Sequence, residues 1–177
     1  STYQFPHVIT DLIPMSEHTE KSSPTEIDRH AMVANTRLIQ EAMDRGRDSK
    51  GCVVAIPPGD FWVRTLTIPS FTELHLTSGS RLVAWPVAED YEAASQGSTV
   101  PKDHHGGISA LSLIQSSNSD KVSLTGKGTI DGNGFAFWDP PVRRVGTGTR
   151  ELEPWREDDS PFWHAKTRRI IPLIEFS

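Results

Sequence analysis

The residues of this chain that could do chemistry are paired carboxylates, histidines, and a run of aromatics mixed with arginines. Asp158-Asp159 is the kind of pair that works as acid and base in glycosidic hydrolysis. An inverting pair must flank the scissile bond at about 6.5–9.5 Å. Adjacent side chains in Glu151 to Ser160, an acidic, proline-flanked run read without a strand on either side, do not face each other that way. The pair reads as a solvated loop. His104-His105 stand before Gly106-Gly107, but adjacent histidines rarely meet at one ion, and no Cys or third His lies at ligand spacing. No metal site and no cofactor is expected. The histidines fall in the stretch 87–110 between strands, a surface loop in which His105 is a candidate for one wall of a substrate groove. His164 has the same status.

The segment 135–169 is richer. It holds Phe137, Trp138, Trp155, Phe162 and Trp163 together with Arg143, Arg144, Arg150, Lys166, Arg168 and Arg169. Aromatic faces stack on sugars, and guanidinium forks grip carboxylates in a bidentate way. That mixture suits a groove for an acidic oligosaccharide, with Trp155, Trp163, Arg168 and Arg169 as candidate contacts. It equally suits a long loop stapled to the body by its aromatics, its arginines paired with Glu151, Glu153, Glu157, Asp158 and Asp159. Both readings stand at this point. Cys52, inside a strand-like run, is a small apolar residue.

Positioning these groups falls to elements that change period along the chain. Residues 1–22 alternate short apolar pieces with a polar run and read as an extended arm. A helix start follows at Ser23-Pro24-Thr25-Glu26, with Ser23 as N-cap and Asp28 as the alternative. Ala31, Ala34, Leu38 and Ala42, with Ile39 and Met43 alongside, recur at helical spacing up to Gly46, a C-cap candidate near the helix end at residue 45. The period then shortens. Cys52 to Ile56, Phe61 to Arg64, Leu66 to Ile68, Glu73 to Leu76 and Arg81 to Ala84 are runs of about three to five residues between Gly, Pro, Ser or Thr. Leu66, Leu74 and Leu82 are eight residues apart. After 87–110 the pattern returns at Leu111 to Ile114, Val122 to Thr125, Gly128 to Asp131 and 170–176. Hairpin-built sandwiches would show Asn-Gly or Asp-Gly turns answered by a second strand. Asp131-Gly132 is followed instead by a long polar segment. The eight-residue leucine spacing suits one face per strand of a three-sided coil, the pattern of a parallel β-helix with the early helix laid over its end. The domains expected are an arm over 1–22 and, over 23–177, a cap helix with the first coils of the solenoid, interrupted at about 87–110 and 135–169.

Composition bounds the partners. With 18 Lys and Arg against 23 Asp and Glu among 177 residues, the net charge of −5 argues against nucleic acid. No apolar run nears the ~20 residues of a membrane helix, and one cysteine forms no intrachain disulfide. No signal peptide is visible at Ser1.

Several stretches resemble the polygalacturonase-type glycoside hydrolases, family 28 of the right-handed parallel β-helix enzymes. Asn35 to Met43 is similar to their capping helix, and Gly51 to Phe61, with its Pro57-Pro58-Gly59, to the strand and turn behind it. Leu74-His75-Leu76, Gly79 to Ala84 and Asp90-Tyr91 resemble the next coil. The most specific match is Leu124-Thr125-Gly126-Lys127-Gly128-Thr129-Ile130-Asp131-Gly132-Asn133-Gly134, with Phe137-Trp138 beyond. Arg169 and Pro172 to Phe176 resemble the entry to the central coils. The resemblance implies inverting acid–base hydrolysis of pectin-like acidic polysaccharide by an exported protein, secreted or periplasmic. It also implies a structural role for Asp131, whose carboxylate accepts backbone hydrogen bonds while the neighbouring glycines take positive φ. The family's catalytic aspartates lie in Asn-Thr-Asp-Gly and Asp-Asp motifs on central coils, followed by Gly-His-Gly and Arg-x-Lys. Apart from the dipeptide Asp158-Asp159, which lies in the acidic run read as a loop, none of these motifs occurs in the chain. The expectation is therefore an N-terminal portion, inactive alone, with the catalytic aspartates on coils beyond Ser177. Its open end is expected to self-associate or to take a companion chain. A non-catalytic β-helix that binds carbohydrate or builds an assembly is the alternative. A calcium-dependent lyase is disfavoured, since no clustered aspartates could supply the oxygens of a Ca²⁺ site.

Overall fold

A computed structural model describes residues 6–16, 24–47, 51–87, 89–92, 108–110, 112–139, 142–144, 152–154, 164–165, 168–170 and 174–176. A two-residue strand, β1 (His7–Val8), precedes the helix α1 (Glu26–Arg47). The chain then runs through β2 (Cys52–Ile56), β3 (Gly59–Val63) and β4 (Leu66–Thr67), which form a first coil. A second coil follows with β5 (Thr72–Leu76), β6 (Ser80–Ala84), the one-turn helix α2 (Glu89–Glu92), β7 (Ile108–Ala110) and β8 (Ile114–Ser116). The third contains β9 (Ser123–Gly126), β10 (Thr129–Asp131), a 3₁₀ turn (Gly134–Phe137), β11 (Trp138–Asp139), β12 (Val142–Arg144), β13 (Leu152–Pro154), β14 (His164–Ala165), β15 (Arg168–Ile170) and β16 (Ile174–Phe176).

Equivalent strands of successive coils pair in parallel. One sheet has the order β1-β2-β5-β9, a second β3-β6-β10, a third β4-β8-β16, and β7 pairs with β15 in a fourth. The fold is therefore all-β and β-helix-like. Leu66, Leu74 and Leu82 each fall in a different sheet and all three are buried. The eight-residue spacing thus reports one turn of chain per sheet change. In β5, Thr72, Leu74 and Leu76 are buried while Glu73 and His75 are half-exposed, the alternation a one-sided strand requires. Each buried leucine contributes roughly 1.5–3 kcal/mol by leaving water. The equivalent positions of the third coil, Leu124 and Ile130, are only partly buried.

α1 packs on the first coil through Met32, Ile39 and Met43, all in the buried cluster. Its polar residues take over backbone groups that a strand would otherwise use. Gln40 Nε2 donates to the Thr67 carbonyl at 2.8 Å, and the Thr67 amide donates to Gln40 Oε1 at 2.9 Å. Buried Asn35 donates to the Trp62 and Ile13 carbonyls and accepts from the Ile13 amide. The Arg64 amide donates to Thr36 Oγ1, and the Met15 amide to the Asp60 carbonyl. With β1 lying along β2, the first-coil edge is covered at all three of its strands.

Both helix ends differ from the sequence expectation. Neither Ser23 nor Asp28 is the N-cap. Ser23 lies outside the described residues, and the helix begins at Glu26 behind Thr25. Thr25 Oγ1 accepts from the Asp28 amide at 3.2 Å, while Asp28 Oδ2 accepts from the Thr25 amide at 2.9 Å. This reciprocal pairing is a capping box with Asp in the third position. Burial alone would raise the Asp28 carboxyl, but the hydrogen bonds from Thr25 and Ser16 hold it below the usual range. At the other end the helix continues to Arg47 and Gly46 does not take positive φ. A side chain there would collide with the Cys52 thiol, so close packing rather than a C-cap accounts for this glycine.

The second insertion also departs from expectation. It contains strands: β11 pairs antiparallel with β14 and β12 with β13, so the chain goes out and returns as a ribbon. The run Glu151 to Ser160 thus contains β13, because Arg143 stands opposite Glu153 and Val142 opposite Pro154 across the ribbon.

Candidate functional site

Each coil turns twice between its sheets, and the two corners differ. Between the first and second sheets the connections are 57–58, 77–79 and 127–128. Between the second and third sheets they are 64–65 in the first coil, 85–113 in the second and 132–173 in the third, counting β7 and the ribbon strands within them. Both insertions therefore leave the body at one corner, in neighbouring coils, although they are far apart in the chain.

Their roots are fixed by side chains. In the second coil the Trp85 amide donates to the Val63 carbonyl at 2.9 Å, continuing the ladder one residue past β6. Trp85 Nε1 then donates to Asp90 Oδ2 at 2.7 Å, and Asp90 Oδ1 accepts from Arg29 Nη2 of α1 at 2.6 Å. Arg64 Nη1 donates to the Asp90 carbonyl, and the Tyr91 hydroxyl to the Trp85 carbonyl. Tyr91 is fully buried, and that burial pushes its phenol well above the usual range. Trp85 meets Trp62 edge to face at 5.6 Å between ring centres. The Asp90-Tyr91 pair is thus an anchor that turns the chain back against the first coil. Sequence reading matched the two residues to a family pattern but did not find the Arg29 partner, 61 positions away.

In the third coil the root is Asp131 to Gly134. Asp131 Oδ1 accepts from the Asn133 amide at 2.7 Å, and its Oδ2 accepts from Arg81 Nη2 at 2.6 Å. Arg81 also donates to Asp60 Oδ2 at 3.1 Å, so one guanidinium ties carboxylates from the coils on either side of it. Burial would raise the Asp131 carboxyl, but Arg81 and the Asn133 amide hold it below the ordinary aspartate value. A general acid at neutral pH needs the opposite shift. Asp131 is therefore a turn-former. The residue in the left-handed region is Asn133, with φ 47°, rather than Gly132 or Gly134. The reason is its side chain, whose Nδ2 donates to the Ala84 carbonyl at 3.2 Å. That bond joins the root of the second insertion to the last residue of β6, where the first insertion begins.

The insertions also return together. β15 pairs in parallel with β7, placing Arg168 opposite Ile108, Arg169 opposite Ser109 and Ile170 opposite Ala110. Of the residues singled out from sequence, Arg168 and Arg169 are therefore brought to the corner on β15. His105, Trp155 and Trp163 lie outside the described residues, as do His104, Asp158 and Asp159. His164 stands opposite Asp139 in the ribbon, and Trp138 opposite Ala165. The register that sets Ser109 beside Arg169 had no signal in the sequence. Among the described residues no group of three His, Cys, Asp or Glu could hold a metal ion, and no helix is long and apolar enough to cross a membrane.

No family model matches the chain, and no curated protein does. Five solved chains are similar to it in structure. One is a proposed glycosyl hydrolase from Parabacteroides merdae, with a TM-score of 0.46 and 24% identity over 58% of this chain and 38% of that one. Another is the family 28 exopolygalacturonase of Yersinia enterocolitica, also with a TM-score of 0.46 and 24% identity, over 71% of this chain and 22% of that one. The chain thus spans well under half the length of either.

Proposed function

We propose that this chain forms the N-terminal coils of a glycoside hydrolase of the polygalacturonase type, acting on a pectin-like acidic polysaccharide. In this reading the coils wind right-handed, α1 caps them, and the protein is secreted or periplasmic. The observation that carries it is the convergence of both insertions on one corner of a parallel-stranded stack. A rigid scaffold presenting long connections on one side is how β-rich enzymes build a binding groove. The resemblance of Leu124 to Gly134 to the family motif supports the same reading. The insertions contain Trp155, Trp163, Arg168, Arg169 and His105, the residues proposed to contact sugar rings and uronate carboxylates.

The chemistry needs two carboxylates on opposite faces of the scissile bond, one as acid and one activating water. Asp60 and Asp131 do not supply them, since Arg81 binds both. The catalytic pair belongs, in this proposal, to further coils stacked on the third. The test is release of reducing ends from polygalacturonate by the 177-residue chain and by a longer chain carrying further coils. Activity confined to the longer chain is the expected result. Hydrolysis by the short chain overturns the assignment. Binding without hydrolysis in both favours a non-catalytic module, and calcium-dependent unsaturated products indicate a lyase.

A further inference from the structure

We propose that the outer face of the first sheet carries a second ligand site, built around His75, for the hydroxyls of an uncharged sugar; it rests on the function given above only in that the protein handles carbohydrate. This face does not border the corner from which the insertions leave. Along β5 the buried Thr72, Leu74 and Leu76 alternate with Glu73 and His75, which face outward and are half-exposed. Thr125 of β9 stands opposite His75 and Ser123 opposite Glu73, and both are exposed. On the other side β2 contributes Val53 and Ala55.

The protons of this cluster can be counted. The Thr125 hydroxyl carries one, and gives it to Glu73 Oε1 at 2.5 Å. His75 Nδ1, 2.7 Å from Thr125 Oγ1, is then the donor to that oxygen. Neutral His75 is therefore the Nδ1–H tautomer, and its Nε2 keeps a lone pair. Neither Nε2 nor Glu73 Oε2 has a hydrogen-bond partner among the described residues. Two acceptors without a donor of their own select a ligand that brings donors.

Charge narrows the choice. Glu73 opposes an anion, a uronate included. Lys121, whose ammonium lies 5.5 Å from the centre of the Phe71 ring at the head of β5 and β9, opposes a cation. An uncharged polyol satisfies both. Phe71 adds a surface for it. The residue is exposed, and its φ is 60°, a value rare for a bulky side chain; Gly51 takes the same place ahead of β2. An aromatic kept outside the core, where glycine fits better, is available to stack on a sugar ring.

The test is calorimetric titration of the 177-residue chain with galactotriose. His75→Gln and Glu73→Gln are each expected to weaken binding about tenfold, and Thr125→Val about threefold. Phe71→Gly should weaken binding while holding or raising the urea midpoint, a pairing that a merely structural Phe71 would not give. Nitrogen-15 shifts of the His75 ring at about pH 8 should show a proton on Nδ1 and none on Nε2. Protonation makes Nε2 a donor, so affinity should fall from about pH 8 to about pH 5 and stay level in His75→Gln. The other titratable groups about this sheet are Glu73, Asp120, Lys121, Lys127 and, on β1, His7. His7→Gln should leave the pH profile unchanged. No binding of galactotriose, or unchanged affinity in both His75→Gln and Glu73→Gln, overturns the site. Loss of trigalacturonate binding in His75→Gln overturns the uncharged-ligand assignment, and tighter binding of trilysine than of galactotriose does the same. Failure of the longer chain to hydrolyse polygalacturonate, with galactotriose still bound through His75, would sink the hydrolase reading and leave this site standing.

Discussion

Two corners of the stack, those on either side of its second sheet, solve opposite problems. At the corner between the first and second sheets, each coil bonds directly to the one before it. Thr77 donates to the Ile56 carbonyl through both its amide and its hydroxyl, the Gly59 amide donates to the Gly79 carbonyl, and the Lys127 and Gly128 amides both donate to the Leu76 carbonyl. A side chain at Gly126 would collide with the Leu76 carbonyl, and one at Gly128 with Ser80. The connections there stay at two or three residues in all three coils. At the other corner the bonds that continue the second sheet reach only Trp85 and Asn133, Arg64 reaches the Asp90 carbonyl, and the coils meet again where β15 pairs with β7, with connections of very different length in the three coils. Confining variation to one corner lets the body stay regular while the insertions change.

The widest separation between the corners should come from glycine replacement. Gly126→Val adds the Leu76 collision to a φ of 105°, and should cost about 3 kcal/mol or more, read as a lost or strongly lowered urea midpoint. Gly134→Ala, at the root of the second insertion, meets nothing within 4 Å and should shift that midpoint by less than about 0.5 kcal/mol. Equal effects at the two sites would end the distinction. Asn133→Ala removes the bond to the Ala84 carbonyl and a residue tolerant of positive φ, for a loss of about 1–2 kcal/mol. Asn133→Gly should recover the backbone part only.

Acidity sharpens the comparison further. The Asp131 carboxyl is lowered in the folded chain, so the stability it contributes is present above its unfolded value of about 3.9 and is lost as pH falls through the folded value. Asp131→Asn should therefore be less stable than the unmodified chain at pH 6, with the gap closing below about pH 4. Urea melts across that range test it, and parallel pH profiles would sink the claim. A small effect is also expected on the outer face of the third coil. Thr125 Oγ1 donates to Glu73 Oε1 at 2.5 Å and lies 2.7 Å from His75 Nδ1, with Thr125 exposed and its two partners half-exposed. Thr125→Val should cost less than about 1 kcal/mol in the same melts.

Much of the body was legible because its signals are local. The leucines at 66, 74 and 82, with Pro57-Pro58-Gly59 and Ser78-Gly79 between runs, mark strand after strand at one period. The N-cap was misplaced because Thr25 looks like an ordinary first-turn residue until Asp28 is seen bonding back to it. The ribbon escaped because strands such as β11 and β14, two residues each, are too short to show alternation. What brings the insertions together was not legible at all. Asn133 reaching Ala84, Arg29 reaching Asp90 and the pairing of β15 with β7 at Arg169 and Ser109 are separated by 49, 61 and 60 positions. No window along the chain contains either end of such a contact together with the other.

Stacked parallel strands are a template for their own lengthening, as amyloid seeds demonstrate. In this molecule that tendency has a direction. The Gln40 amide satisfies both backbone groups of Thr67, acting as a strand one residue long that offers nothing to a newcomer. Exchanging it for Glu would leave the Thr67 carbonyl without its donor. The edge of the first coil is closed by β1, Asn35 and Gln40 together, one for each of its strands.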